Sequence, residues 1–155
     1  MLSVVAALLA VASIALAALA ASQRSDRDAF DSAREAALAS GRQLILNLDA
    51  LSASTIDTDM KRVADAATGT FRKQFTGSEV ELRKYVVARR TVSNGQILAA
   101  GVVRSDSDTA TVLVAVDRTV KDSTNKEGVV AHDRWKLDLE KHGGRWLVAD
   151  LQPVS

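Results

Sequence analysis

Two carboxylates and one phenol are the side chains of this sequence that could carry acid–base chemistry: Asp117, Asp133 and Tyr85. An isomerase-type proton transfer needs a carboxylate base and an oxyanion donor, such as a tyrosine, inside one cavity. Tyr85 is the only tyrosine, and its helical spacing from Leu82 is typical of a core or rim residue. We therefore retain Tyr85 as a candidate for the lining or rim of a cavity, without a catalytic role.

The two aspartates differ in the side of the strand that they occupy. Asp117 ends an apolar strand, where a carboxylate commonly marks the point at which the strand enters solvent. Asp133 shares the parity of Trp135 and Leu137, so we expect it on the core-facing side of its strand. Asp133 is therefore the second candidate for a cavity or its rim.

The spacing of potential metal ligands does not support a metal site. His132 and His142 lack the i, i+4 spacing and the nearby carboxylate partners of a metal centre. The segment Asp106-Ser107-Asp108 resembles the start of a calcium loop, but the mid-loop glycine and final glutamate are absent, so it predicts a hairpin turn. The chain has no cysteine, which excludes a thiolate zinc site and a cysteine nucleophile. We predict no catalytic residue, no cofactor and no metal ion.

The first 22 residues carry no charged side chain, whereas the next nine carry five. A helix that rises about 1.5 Å per residue needs roughly 20 apolar residues to cross a hydrocarbon core of about 30 Å. We therefore expect residues 1–22 to form a retained transmembrane anchor and residues 23–155 to form one soluble domain. Small side chains let membrane helices approach closely, so Ala6, Ala10 and Ala17 are the candidates for helix contact in this anchor.

A cleaved secretory signal is the alternative interpretation of this segment, because residues 18–20 (Ala-Leu-Ala) fit a signal peptidase site. The apolar run exceeds the usual signal core of about 7–15 residues, and no Lys or Arg precedes it. The orientation of the anchor is ambiguous from charge. Arg24, Arg27 and Arg34 follow the span, and the positive-inside rule would then place the soluble domain in the cytoplasm.

The net charge of +1 gives no broad basic field, which disfavours nucleic acid as a general partner. A local basic cluster is formed by Arg83, Lys84, Arg89 and Arg90. We interpret this cluster as a solvated helix face, with contact to anionic lipid or an acidic partner as the alternative.

Hydrophobic periodicity divides the soluble part into helices followed by strands. From residue 28 to about 51, apolar or small residues recur at spacings of three and four, which predicts one long amphipathic helix: Phe30, Ala33, Ala37, Gly41, Leu44, Leu48 and Leu51. A short helix capped by Asp57 or Thr58 is expected to end at Thr68-Gly69. The segment 78–81 (Ser-Glu-Val-Glu) has the pattern of a capping box that opens a further helix.

After Arg90 the period changes from 3.6 to 2. Strands are predicted over residues 96–104 and 109–120, around Trp135, Leu137 and Leu139, and over residues 145–152, with a polar loop at 122–128. Clean alternation indicates a sheet with one face on a core and one in water. The fold class is therefore α+β: an N-terminal transmembrane helix that continues into a long helix, then short helices and a curved four-stranded antiparallel sheet.

Five short motifs follow one another in this order: Thr68-Gly69-x-Phe71-x-x-x-Phe75, Ala100-Gly101-Val102-Val103, Val112-Leu113-Val114-Ala115-Val116-Asp117, Arg134-Trp135-x-Leu137-x-Leu139, and Gly143-Gly144-x-Trp146-Leu147-Val148-x-Asp150-Leu151-x-Pro153-Val154. Their order and spacing resemble those of the Mce-associated membrane proteins, which are accessories of the mammalian-cell-entry (Mce) lipid importers of mycobacteria and their relatives. The resemblance implies a nuclear transport factor 2-like cone of bent sheet and helices. It also implies a single inner-membrane anchor with the domain on the periplasmic side.

The resemblance further implies a non-catalytic subunit that helps to assemble or stabilise an Mce-type lipid or sterol importer. Its implied partners are the importer's permease or substrate-binding proteins and membrane lipid. Two alternatives remain open. One is an assembly factor of a type IV secretion apparatus, which has a similar anchor-plus-cone plan. The other is a lipid- or steroid-binding cone domain, or an enzyme that acts on such a ligand.

Overall fold

The structure, a computed structural model, describes residues 27–154. The predicted anchor with Ala6, Ala10 and Ala17 lies outside the described residues. The chain divides into two compact units, Met1–Ala33 and Arg34–Ser155, and the packing described below is that of the second unit. Within residues 27–154, none of the helices combines the length and the apolar character that a membrane crossing requires.

Three helices precede the sheet in the described part of the chain: α1 over residues 27–49, α2 over Ile56–Asp65 and α3 over Gly69–Arg89. The long helix predicted from the spacing of apolar residues is confirmed, although it ends two residues earlier than expected. Its buried residues are Ala37, Gly41, Leu44, Ile45 and Asp49. These spacings of three and four place one stripe of α1 against the core.

Four strands form an antiparallel meander in the order β1-β2-β3-β4. They are β1 (Val92–Ser105), β2 (Thr109–Lys121), β3 (Val129–His142) and β4 (Arg145–Pro153). All four predicted strands are confirmed, and β1 and β3 are longer than the alternation suggested. Gly143 and Gly144 connect β3 to β4 with φ angles of 55° and 83°, so both occupy the left-handed region that a two-residue hairpin requires.

One face of the sheet is covered by helix and the other is open. Val112, Val114 and Val116 of β2 are at most 2 % exposed, whereas Leu113 between them is 41 % exposed. A Cβ at Gly41 of α1 would lie 3.5 Å from Val112 Cγ1, so α1 packs directly on the valine side. We call this side the inner face and the Leu113 side the outer face.

Three register shifts interrupt the ladder, between Ile97 and Ala99, between Val102 and Arg104, and beside Asp138. Extra residues of this kind bend a strand and increase its twist. Register shifts of this kind are the features that would produce the curvature predicted for the sheet.

The helix predicted to open at Ser78 does not exist as a separate element. α3 runs without interruption through the capping-box pattern, because the Ser78 hydroxyl donates to the Phe75 carbonyl (2.9 Å) rather than capping a new turn. Thr76 bonds in the same way to the Arg72 carbonyl at 2.9 Å. Side chains that return to the preceding turn let serine and threonine remain inside a helix.

The predicted caps of α2 are also wrong. The helix begins at Ile56, before Asp57 and Thr58, and it ends at Asp65. Its first turn is held by the buried carboxylate of Asp59, which accepts from Thr55 Oγ1 at 2.7 Å. The link to α3 is tied to β4, because the Thr68 amide donates to the Val148 carbonyl at 2.8 Å.

Candidate functional site

Asp133 lies on the inner face of β3, as its parity with Trp135 and Leu137 predicted. It pairs in register with the buried Val116, and a quarter of its side chain is exposed. Its Oδ2 accepts from Nε and Nη2 of Arg118 at 3.2 and 3.1 Å. The carboxylate is therefore engaged by a guanidinium two residues beyond Val116 on the neighbouring strand.

A second carboxylate approaches the same guanidinium from α1. Asp49 is 3 % exposed, and its Oδ1 lies 3.4 Å from Arg118 Nε. Its Oδ2 is buried and has no hydrogen-bond partner among the described residues. Asp49, Arg118 and Asp133 form an ionic cluster where the end of α1 meets the sheet, with one cation between two carboxylates.

Within this cluster, burial has the largest effect on the pKa of Asp49. Loss of solvation raises the pKa of Asp49 from 3.8 to about 6; Arg118 acts in the opposite direction, and the nearby Asp133 carboxylate raises the pKa further. A buried carboxylate with a pKa near neutrality is a known signature of functional sites and also of structural ion pairs. Chemically, Asp49 could accept or release a proton around pH 6.

The other two acid–base candidates, Asp117 and Tyr85, are not part of this ionic cluster. Asp117 is on the outer face, where its Oδ1 contacts His132 Nδ1 at 2.6 Å. Tyr85 is 55 % exposed on α3, and the Arg89 guanidinium carbon lies 5.3 Å from its ring centroid. Asp133 and Asp117 therefore occupy opposite faces of the sheet, and Tyr85 is not in the buried core.

Both histidines have a carboxylate beside them, although none was predicted from the sequence. His132 contacts Asp117, and His142 Nε2 lies 3.0 Å from Glu140 Oε2. Within residues 27–154, His, Asp and Glu side chains do not gather in groups of three or more that could hold a metal ion. Each contact is a pair of exposed or partly exposed groups.

The segment Asp106-Ser107-Asp108 forms the β1–β2 turn, as predicted. Asp106 accepts from Thr109 Oγ1 at 2.7 Å and from the amides of Asp108 and Thr109 at 3.0 and 2.6 Å. The Thr109 hydroxyl and these amides hold the pKa of Asp106 below its ordinary value. The carboxylate is thus used by its own turn.

The basic cluster of α3 is partly engaged by carboxylates. Arg83 pairs with Asp57, Lys84 with Glu81 at 2.9 Å, and Arg89 with Asp122 at 2.7 Å. The hydroxyl of Thr124 and the Arg89 guanidinium together hold the pKa of Asp122 far below its ordinary value. The contacts of Arg89 with Asp122 and Thr124 tie the 122–128 loop to α3.

An apolar groove with a volume of about 370 Å³ lies along the sheet. We call it the outer-face groove. It is lined by residues 99–103 of β1, residues 113–115 of β2, Arg134 and Trp135 of β3, and Val154. In the ladder, Ala99 pairs with Ala115 and Gly101 pairs with Leu113. Alanine and glycine therefore make up much of the floor of the groove. None of the acid–base candidates lines it.

Comparison with known proteins identifies the family of this chain. Residues 1–152 match the family described as "Uncharacterized protein Rv1363c/MT1408-like". The chain belongs to this family. A relative, "Uncharacterized protein Rv1363c" of Mycobacterium tuberculosis (strain ATCC 25618 / H37Rv), is 29 % identical over 122 residues, which cover 78 % of this chain and 47 % of the relative. The chain thus spans about half the length of the curated relative that it matches.

Solved structures similar to this Rv1363c-like chain include periplasmic domains. The periplasmic domain of DotI superimposes with a TM-score of 0.63 at 10 % identity, over 76 % of this chain and 91 % of that domain. An IcmL-like type IV secretion system protein from Legionella pneumophila gives a TM-score of 0.62 at 12 % identity, with the same two coverages. At such identities the likeness establishes a shared fold and not a shared function.

Two of the three members of the ionic cluster of this Rv1363c-like chain, Asp49 and Arg118, were not predicted from the sequence. Asp49 lies four residues after the buried Ile45 and eight after Gly41, so its position on the core-facing stripe of α1 was a usable signal. Arg118 has the parity of Val116, which was a second signal. The outer-face groove was not anticipated, because small residues in strands carry no periodic signal.

Proposed function

We propose that this Rv1363c-like protein is a non-catalytic, bitopic accessory subunit that helps to assemble or stabilise an Mce-type lipid or sterol importer. In this proposal residues 1–22 anchor it in the inner membrane, and the folded domain lies on the periplasmic side. Its partners are the permease or substrate-binding proteins of the importer. Support comes from the motif order of the soluble part and from a family relative in Mycobacterium tuberculosis.

The observation that carries the non-catalytic part is the separation of the acid–base candidates. A proton transfer needs its base and its oxyanion donor within hydrogen-bond reach of one substrate. Asp117 and Asp133 are on opposite faces of the sheet, and each is already engaged, by His132 and by Arg118. Tyr85 projects from α3 with more than half of its surface exposed. This arrangement favours protein contact over catalysis.

Placement of the domain outside the cytoplasm rests on two lines of support. The resemblance to Mce-associated proteins implies it, and similar solved folds are described as periplasmic domains. Arg24, Arg27 and Arg34 argue for the opposite orientation under the positive-inside rule. We favour the periplasmic side because the resemblance and the described folds agree on it.

A type IV secretion assembly factor is the second candidate function. The similarity of the fold to the DotI domain and to the IcmL-like protein favours it as much as it favours the importer. Neighbouring genes distinguish the two candidates, because an importer subunit should accompany permeases and substrate-binding proteins, and a secretion factor should accompany secretion ATPases.

A ligand-binding or enzymatic cone is the third candidate, and Asp49 is the observation in its favour. Its pKa near 6 and its burial at the end of α1 are what a general base would need. Against it, Gly95 packs directly on the Asp49 side chain, and the outer-face groove lies on the other side of the sheet.

The test compares site variants with anchor variants. Asp133→Asn, Asp117→Asn and Tyr85→Phe should leave importer abundance and lipid uptake nearly unchanged, apart from stability losses of about 0.5–3 kcal/mol. The triple variant Ala6→Leu, Ala10→Leu, Ala17→Leu keeps the segment apolar but adds branches that hinder close helix approach. It should insert normally and lose co-purification with its partner.

A matched anchor variant controls for bulk alone. Ala12→Leu, Ala15→Leu, Ala18→Leu adds the same three side chains to the opposite side of a regular helix with 3.6 residues per turn, and it should retain co-purification. If the carboxylate variants abolish uptake in a folded protein while the first anchor variant behaves like wild type, the accessory role is wrong and a ligand-processing cone is favoured.

A further inference from the structure

We propose that the outer-face groove binds a long-chain alkyl carboxylate, with the alkyl chain along β1 and β2 and the carboxylate on Arg134. This ligand site goes beyond the accessory role and stands independently of it, because it is argued from the open face of the sheet alone.

The floor of the groove is made of residues that leave space. A Cβ at Gly101 would meet no heavy atom within 4 Å, and the Ala99–Ala115 pair next to it presents only methyl groups. Exposed aliphatic side chains surround this floor: Val103 is 64 % exposed, Leu113 41 % and Val154 40 %. A contiguous apolar depression of this kind on a soluble domain commonly marks a binding surface.

Gly101 is not explained by its backbone. The φ angle of Gly101 is outside the left-handed region, in contrast to Gly143 and Gly144. A strand glycine without a turn or a positive φ weakens the strand, and it often lies where a ligand or another chain approaches closely. The open space above Gly101 is consistent with such an approach.

Arg134 supplies the polar end of the site. It lies across from Ala115 in the ladder. Its two basic neighbours on the same face of β3 each contact a carboxylate: His132 contacts Asp117, and Lys136 Nζ lies 3.4 Å from Asp138 Oδ2. Arg134 makes no ion pair with the residues of 27–154. An arginine fork matches the two oxygens of a carboxylate.

The size and charge of the groove favour a small amphiphile over a protein. A volume of about 370 Å³ is within the range of roughly 300–1,000 Å³ that small-molecule sites occupy. A stable protein contact needs a surface of about 800 Å² on each partner. A second copy seated on the same patch about a two-fold axis would bring two Arg134 side chains near each other, which is repulsive.

The experiment uses the full chain in nanodiscs of neutral phosphatidylcholine and a palmitate analogue with a photoreactive diazirine on its alkyl chain. Labelled peptides are mapped by mass spectrometry. Within the folded domain, labelling should concentrate in β1 and β2 around Gly101 and Leu113. Dodecanoate should compete about tenfold better than dodecanol, because only dodecanoate gains the charge-assisted bond to Arg134.

Two pairs of variants isolate the groove. Gly101→Leu fills the open space and should lower labelling by about tenfold, whereas Gly77→Leu, also with no neighbour within 4 Å of a Cβ, should not. Arg134→Gln should abolish the preference for dodecanoate over dodecanol, whereas Arg42→Gln on the exposed side of α1 should preserve it. Thermal unfolding confirms that each variant is folded.

Three outcomes would overturn the proposal. Labelling spread evenly over the folded domain would mean that no site exists. Equal competition by dodecanoate, dodecanol and dodecyltrimethylammonium would mean an unselective apolar patch. A Gly101→Leu variant that converts a dimer to a monomer in light scattering, with unchanged labelling, would mean that the groove is a contact between copies.

Discussion

Gly95 of β1 lies so close to Asp49 of α1 that a Cβ added to it would be 2.6 Å from the Asp49 Cβ and 2.7 Å from Oδ2. Gly95 is also the register partner of Arg118. The absence of a side chain at Gly95 therefore admits the end of α1 to the sheet and lets Asp49 reach Arg118.

Gly95→Ala should lower the free energy of unfolding by about 1–3 kcal/mol, because the new methyl group must displace α1 or the Asp49 side chain in a packed interior. Urea denaturation measures the loss. Gly77→Ala is the matched control: its Cβ meets nothing, and alanine should stabilise α3 by about 0.4–1 kcal/mol. Equal effects at both positions would mean that the contact with Asp49 is unimportant.

Asp49 should make stability depend on pH in an unusual direction for a carboxylate. Because its pKa is raised to about 6 from 3.8, the folded state holds the proton more tightly than the unfolded chain. Its contribution is therefore fully present below pH 4, is lost as pH rises towards 6, and is constant above that.

The comparison with Asp49→Asn measures this contribution, because asparagine does not titrate. The free energy of unfolding of wild type relative to that variant should fall by roughly 2–3 kcal/mol between pH 4 and pH 7. Chemical denaturation at several pH values provides the test. A difference that stays constant across this range, or that rises with pH, would mean that the pKa of Asp49 is not raised.

Arg118 should be worth more to the fold than either carboxylate it contacts. Arg118→Leu leaves Asp49 and Asp133 near each other without a cation, and removing one partner of a buried ionic group costs about 3–5 kcal/mol; we expect the lower end because Arg118 is 36 % exposed. Adding Asp49→Asn to Arg118→Leu should recover part of the loss. Losses that simply add would contradict coupling within the cluster.

Much of the sheet could be predicted because strand alternation depends on neighbours in sequence. The parity of Asp133 with Trp135 and Leu137 correctly placed its carboxylate on the inner face. The ionic cluster could not be assembled in the same way, since Asp49 and Arg118 are 69 positions apart and meet only through the register of the folded sheet.

Local sequence patterns also gave wrong helix boundaries where the same pattern occurs both at the start of a helix and inside one. A serine followed three residues later by a glutamate opens helices, but Ser78 satisfies its hydroxyl on the Phe75 carbonyl and stays inside α3. Asp57 and Thr58 were sensible caps for α2, yet the helix begins at Ile56 because the buried Asp59 holds the preceding residues. A local bond to the preceding turn decided the first position, and the burial of Asp59 decided the second.

The topology of the anchor is testable with a single cysteine. Lys126 is exposed in the 122–128 loop, and the chain contains no competing thiol. Lys126→Cys should react with a membrane-impermeant maleimide in whole cells, because we propose that the domain is periplasmic. Labelling that appears only after lysis would mean that the orientation follows Arg24, Arg27 and Arg34 instead.

The most direct test of the accessory role is affinity purification of the full chain from native membranes, with the co-purifying proteins quantified by mass spectrometry. The account predicts that Mce permease and substrate-binding subunits are recovered with wild type and lost with the triple variant of Ala6, Ala10 and Ala17. Recovery of secretion ATPases without importer subunits would contradict it and would assign the protein to a secretion apparatus.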